Sequence, residues 1–305
     1  MKTIGKYWNK KVLVKFAVKA QGMSHLEKGT PCQDACTAQL SKNLTVGVAC
    51  VADGHGGNKY FRSDKGSKMA VQVAEKALFD FCGTIAREKK AFFITNSSNK
   101  YTKKDDILSK LKQLEGNIIY QWRNAVLDDI NANPFTEAEK EFCNSNKISL
   151  EEDHEKMMFV YGTTLLAGLV SDSFWYVIQI GDGLCVVLEN EESIITPIKE
   201  DERLAFGRTT SLCENDAIKN FRESFGFSRI IGLTVATDGI ADSFEPGKFL
   251  RFNKELYDNF TTIPEKAKTE LEAFLPELSE RGSRDDVSIA GIFRAIGENK
   301  RVLSC

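Results

Sequence analysis

The sequence predicts an α+β fold: a four-layer α-β-β-α sandwich, two central antiparallel sheets flanked by helices. Three observations carry that prediction. Apolar, valine-rich runs cluster in groups, with a pair of helical stretches between them and more helices late in the chain, so strict β-α-β alternation is absent. The runs from 160 to 198 are short and divided by turn residues, which reads as an antiparallel meander. Across all 305 residues there is no internal repeat and no low-complexity linker, so 1–305 is read as one domain.

Each element has its own signal. Residues 12–20, VLVKFAVKA, alternate as a strand, and the Gly- and Pro-containing QGMSHLEKGTPCQDAC that follows reads as a loop. Leu44 to Ala52 form a buried strand ending at Asp53 and a glycine cluster. From Asp64 to Phe81, apolar residues at Met69, Ala70, Val73, Ala77, Leu78 and Phe81 keep helical spacing. Residues 95–106 are polar and read as a loop. Ile107 to Ile130 then repeat at three and four, a long amphipathic helix closed by Asn133-Pro134. Residues 137–156 fit one short helix and a loop, which makes 84–158 a helical, variable region. Residues 199–229 lack a clear period and are read as a flap. IIGLTVATDG is a further buried strand, 247–280 form two helices, and DVSIAGIFRA is the last strand.

Composition excludes several classes. Hydrophobic residues make up 42% and charged residues 28%, so disorder, collagen-like repeats and a membrane bundle are not expected. Lys and Arg number 41 against 43 Asp and Glu, a net charge of -2, which offers no general field for nucleic acid. The eight cysteines hold one close pair, Cys32 and Cys36, with no second pair to complete a zinc site. Reduced thiols, no signal peptide and no apolar stretch near bilayer length together lead us to expect a cytoplasmic protein without a membrane anchor.

The chemistry sits at strand ends. Four apolar runs stop at an Asp followed by glycine or another Asp: Asp53-Gly54, Asp182 in IGDG, Asp238-Gly239, and Asp285-Asp286 in SRDD. Asp34 and Asp242 stand close by in sequence. Any one Asp-Gly pair reads better as a simple turn. Four in one chain are harder to dismiss, because an unpaired carboxylate at a buried strand end costs several kcal/mol. No Lys or Arg lies within the motifs at Asp53, Asp182 or Asp238. An all-oxygen set without Cys or paired His suits Mg²⁺ or Mn²⁺, and such ions suit phosphate chemistry.

Taken in order, VADGHGG, YGTTL, IGDG, ATDGIAD and SRDDVSI resemble the metal-dependent Ser/Thr protein phosphatase family, type 2C, over about residues 12–294. The stretch SHLEKGTPCQDA is similar to a bacterial-type subgroup of it. The resemblance implies two Mn²⁺ or Mg²⁺ ions, with a third as a weaker site. It makes Asp53 the bridging ligand, with Asp238 and Asp285 completing the first metal and the Gly54 carbonyl binding the second. It implies that Asp34 acts through metal-bound water, and that Asp182, Asp238 and Asp242 form the third site. Hydroxide held between the metals would attack phosphoserine or phosphothreonine, with His55 as general acid. The implied partners are phosphorylated proteins and a cognate kinase.

Two positions depart from the family pattern. Gly29 stands where the family usually has a phosphate-gripping Arg, and His25, Lys28 or Arg62 are the candidate substitutes. Gln33 stands where many members have Glu; its amide oxygen can still bind a metal or its water, without charge. These departures keep two alternatives in view. One is an inactive relative that binds phosphoproteins or a kinase. The other is a metal-dependent phosphoesterase for a smaller substrate.

Overall fold

The computed structural model describes residues 11–87, 100–146, 148, 154–199, 201, 204, 209–245 and 247–296. Two five-stranded antiparallel sheets form its centre. One sheet has the order β1 (Lys11–Ala20), β10 (Val287–Ile296), β9 (Gly232–Ala236), β6 (Leu184–Leu188) and β7 (Ile194–Ile195). The other has β2 (Ala35–Leu40), β3 (Gly47–Ala52), β4 (Leu165–Val170), β5 (Trp175–Ile180) and β8 (Arg222–Gly226). Helix α1 (Met23–Lys28) follows β1, and α2 (Ser63–Arg87) and α3 (Lys100–Ala132) lie between β3 and β4. Short helices α4 (Glu137–Ser145) and α5 (His154–Phe159) lead into β4. Later come α6 (Ala217–Asn220), α7 (Asp238–Ala241), α8 (Lys248–Thr262) and α9 (Pro264–Arg281).

Three apolar cores separate these layers, as the predicted sandwich requires. Leu13, Val51, Val177, Cys185, Val235 and Ile292 meet between the sheets. Val48, Cys50, Leu169 and Ile178 pack outward against Leu78, Ile118 and Trp122 of α2 and α3. Phe16, Val186 and Ile289 pack outward against Phe260 and Leu275 of α8 and α9. A strand buried on both faces reads as a near-continuous apolar run, and β3, β4, β5 and β9 do, with Gln179 in β5 and Thr234 in β9 as buried polar exceptions.

Several expectations change in detail. The long helix begins at Lys100, so residues 100–106 are helical rather than loop, while 95–99 lie outside the described residues. The runs from 160 to 198 do not form one meander: β4 and β5 pair in one sheet, and β6 and β7 in the other. Trp175 and Tyr176, neighbours in β5, point to opposite faces, and both are buried because helices cover the outer one. The end of the 199–229 segment is an edge strand, β8, paired with β5; residues 200, 202–203 and 205–208 lie outside the described residues. The seven described cysteines are free thiols.

Candidate metal centre

The acids converge at one end of the sandwich because their strands end there. Asp53 follows β3, and the YGTTL turn braces its backbone: Asp53 N–H donates to Thr164 Oγ1 at 2.9 Å, and Thr163 Oγ1 donates to the Asp53 carbonyl at 2.8 Å. Asp182 occupies the turn between β5 and β6, where Gly181 takes φ 105° and its N–H donates to Thr210 Oγ1 at 2.9 Å. Asp238 opens α7 after β9, and its Oδ1 accepts from Gly239 N–H at 2.8 Å. A Cβ on Gly239 would lie 2.0 Å from the Asp286 carbonyl oxygen, so glycine alone lets the ATDG and SRDD turns touch.

Carboxylate oxygens of Asp53, Asp182 and Asp238 lie within 4.8 Å of one another. Asp34, Asp242 and Asp285 complete the surround. Asp34 is fully buried; its Oδ2 accepts from Thr237 Oγ1 at 2.8 Å, while Oδ1 has no hydrogen-bond partner. Asp285 stands at the rim with its side chain 54% exposed.

Electrostatics mark this cluster as incomplete. Burial, then the charges of Asp34, Asp238, Asp285 and Asp182, push the Asp53 carboxyl well above the usual range. Burial and Asp286 raise Asp34 to about 8. Burial, then Asp182 and Asp285, raise Asp238 to about 7. Asp242 is raised too, by burial and the same two acids. The leading charges acting on Asp53 are all negative. Crowded carboxylates with an orphaned buried oxygen and no Cys or His among them fit a hard divalent cation, and the residues present are suited to hold one.

The remaining predicted residues separate into different roles. His55 follows in the same loop, its N–H on the Gly162 carbonyl at 3.0 Å and its ring edge-on to Tyr60 at 4.9 Å. Burial lowers its pKa to about 4. Gln33 donates its amide to Ser63 Oγ at 2.6 Å and to the His55 carbonyl at 3.3 Å, so only its amide oxygen could serve a cation. Lys28 is exposed at the end of α1.

Arg62 does not face the acids. Its guanidinium is buried against Glu139, donating Nε–H at 2.8 Å and Nη2–H at 2.9 Å to the carboxylate. Nη1 donates to Tyr161 Oη and to the Asn133 carbonyl, both at 2.8 Å. A phosphate could reach it only by breaking that set, so the structure removes Arg62 as the substitute for the missing Arg. His25 faces acids instead, with Nδ1 2.9 Å from Asp286 Oδ2. Asp286 is the residue that sequence reasoning undervalued. It was noted only as the second acid of SRDD, yet it is buried and accepts backbone N–H groups from two distant segments.

The comparisons with known proteins agree with this fold. The family model described as protein phosphatase 2C matches residues 21–276. The chain therefore belongs to the protein phosphatase 2C family, the metal-dependent protein-serine/threonine phosphatases. No curated protein matches it. Among solved structures it is similar to the catalytic domain of the serine/threonine protein phosphatase PstP in complex with two manganese ions. That pair is 17% identical with a TM-score of 0.52, covering 94% of this chain and 100% of that one. The Mycobacterium tuberculosis serine/threonine phosphatase PstP/Ppp is 17% identical with a TM-score of 0.52, covering 93% and 99%. A C. elegans sex determining protein is 15% identical with a TM-score of 0.52, covering 92% of this chain and 65% of that one. At these identities the likeness is one of fold. No helix among the described residues is long and apolar enough to cross a membrane.

Proposed function

We propose that this chain removes phosphate from phosphoserine and phosphothreonine in proteins, and that the strand-end carboxylates hold the two Mn²⁺ or Mg²⁺ ions this requires. Asp53, the Gly54 carbonyl, Asp238 and Asp285 are the principal ligands, with Asp34 and the Gln33 amide oxygen acting at the second ion or its water. Asp182, Asp238 and Asp242 would serve a third. Bound ions supply hydroxide from water near neutral pH and screen the charge of the phosphate.

The protein's own residues do the rest. Thr163 and Thr164 hold the Asp53 backbone on both sides, at its N–H and its carbonyl, and so set where its side chain starts. Backbone contacts to Gly162 and Gln33 hold the Asp53-Gly54-His55 turn over the cleft. His55 is the general acid for the leaving oxygen in this reading. Its lowered pKa means that the imidazole is neutral in the free protein at pH 7. A phosphate dianion brought beside it favours the charged form that can give up a proton. A cytoplasmic signalling role, opposing a kinase, is the setting that suits such a reaction.

One observation carries this reading: Asp34, Asp53 and Asp238, from three separate strand ends, are pushed above the usual carboxylate range by burial and by neighbouring acids. The test is phosphate release from a phosphothreonine peptide with Mn²⁺, with Mg²⁺ and with chelator. Turnover that needs metal supports it. Folded protein that binds Mn²⁺ yet hydrolyses no phosphopeptide would favour the binding-module alternative, for which Gly29 is the motivating residue. Hydrolysis of a nucleotide but not of the peptide would favour the small-substrate phosphoesterase.

A further inference from the structure

We infer that His25 is a positioning residue for the metal centre, acting through Asp286 to hold Asp285 at the rim of the carboxylate cluster. The inference rests on the phosphatase reading above and names a part of the chain to which that reading gives no role.

Asp285 has an unusual position for a ligand. Its charge reaches Asp53 and Asp238, but it stands outside the tight group formed by Asp53, Asp182 and Asp238. Half of its side chain faces solvent. An exposed carboxylate repelled by its neighbours would turn outward unless its backbone were fixed.

Helix α1 supplies that fixation. The backbone N–H groups of Gly22 and Gln33 donate to Asp286 Oδ1 at 2.7 Å and Oδ2 at 2.6 Å. One buried carboxylate thus ties the entry to α1 and the approach to Asp34 onto the residue after Asp285. A Cβ on Gly22 would lie 2.3 Å from the Asp285 carbonyl carbon, so the two backbones are in direct contact. Ser24 N–H donates to the Arg284 carbonyl at 2.9 Å, and Ser279 Oγ donates to the Asp285 carbonyl at 2.8 Å. Arg284 itself takes φ 64°, a left-handed conformation costly for a non-glycine residue, and its guanidinium donates to Glu27 of α1 at 2.6 Å.

His25 sits in the middle of this clip. Its imidazole spans both acids, with Nδ1 2.9 Å from Asp286 Oδ2 and Nε2 3.7 Å from Asp285 Oδ1. The Nδ1 approach is oblique, a close polar contact rather than a straight hydrogen bond. The ring is 12% exposed at its side chain and faces acids, not open solvent. Its position explains the SH spacing ahead of GTPCQDA without assigning it to phosphate.

The test is Mn²⁺ titration by calorimetry of the full chain, wild type against H25A, H25N and H25Q, with metal-free melting temperatures alongside. Outer partners of metal ligands typically contribute about 10–100-fold in affinity, and a loss in that range is expected for H25A. H25N, whose amide can stand near the Nδ1 position, should recover part of it. Turnover by H25A should fall at limiting Mn²⁺ and return towards wild type at saturating Mn²⁺. A merely structural His25 would lower the melting temperature and leave Mn²⁺ affinity alone, and that result overturns the inference. If H25A does not fold, H25Q, which keeps bulk without a donor at Nδ1, must show the affinity loss; wild-type affinity in H25Q overturns it. Wild-type protein that binds no Mn²⁺ would overturn the phosphatase reading as well, which separates the two failures.

Discussion

Two groups of charged residues lie at the two ends of the connection from β3 to α2, one at Asp53 and one at Arg62, and they are built on opposite plans. Around Arg62, each charge has its complement. Glu139 takes the guanidinium, Asp129 takes Lys65 Nζ at 3.0 Å and Tyr161 Oη at 2.6 Å, and Phe135 covers the Arg62 face at 4.4 Å. Glu139 also closes the N-terminus of α4, accepting from Thr136 N–H at 2.7 Å. The hydrogen bonds from Arg62 lead the causes that draw Glu139 down to about 2. Around Asp53, the leading charges on Asp34, Asp53 and Asp238 come from other acids, and the pKa values of these three rise, while His25 reaches only Asp285 at the rim and Asp286. The first group is finished as folded and holds the structure together. The second lacks a compensating positive charge, and that imbalance is what makes it the candidate functional site.

This contrast can be broken at either end. The largest effect is expected from Asp238→Asn: even outer partners of metal ligands cost about 10–100-fold, so loss of a direct ligand should exceed ~100-fold in kcat/KM towards a phosphothreonine peptide. The same change should leave chelated protein as stable as wild type or more so at pH 8, because it removes a repelled charge. A melting curve in chelator reads that sign directly. Arg62→Ala should do the reverse. It strands Glu139 in a partly buried setting and should cost about 3 kcal/mol in urea unfolding, while Mn²⁺ affinity is unchanged. Thr164→Val is expected to be smaller. It leaves the Asp53 N–H without its partner and should cost about 1–2 kcal/mol, with a modest drop in kcat.

Much of this was legible in the sequence because it follows from burial. Doubly buried strands such as GVACVA and LLAGLV cannot hide their apolar runs: β3 ends at Ala52 as read, although it starts at Gly47, three residues after Leu44. The acids Asp53, Asp182 and Asp238 were legible for the same reason, since each terminates such a run. Sheet membership was not. The chain from β5 to β6 changes sheets across three residues, and nothing in IGDG distinguishes that crossing from a hairpin. Partner choice for isolated charges was also hidden. Arg62 and His25 looked alike as stray cations near the motifs, and only tertiary packing sends one to Glu139 and the other to Asp286. Asp286 was overlooked because its three contacts come from residues 22, 25 and 33, far away in the chain.

The central claim is that the strand-end cluster is electrostatically incomplete without a cation, and its pH dependence tests it most directly. An acid whose folded pKa exceeds its unfolded value binds more protons when folded, so stability falls as pH rises through that interval. Asp34 and Asp238, unfolded near 3.8 and folded near 8 and 7, lose stability up to about pH 8. His55 works the opposite way, but only below its unfolded value of 6.5, so the window from pH 6.5 to pH 8 belongs to the acids. Glu115, raised to about 7 by burial in α3, adds a slope of the same sign that metal at the cleft does not touch. The measurement is the melting temperature across that window, in chelator and in Mn²⁺. The account predicts a fall with rising pH in chelator, most of it abolished by Mn²⁺. A chelated protein whose melting temperature is flat or rises across the window, or a fall that Mn²⁺ leaves intact, would contradict it.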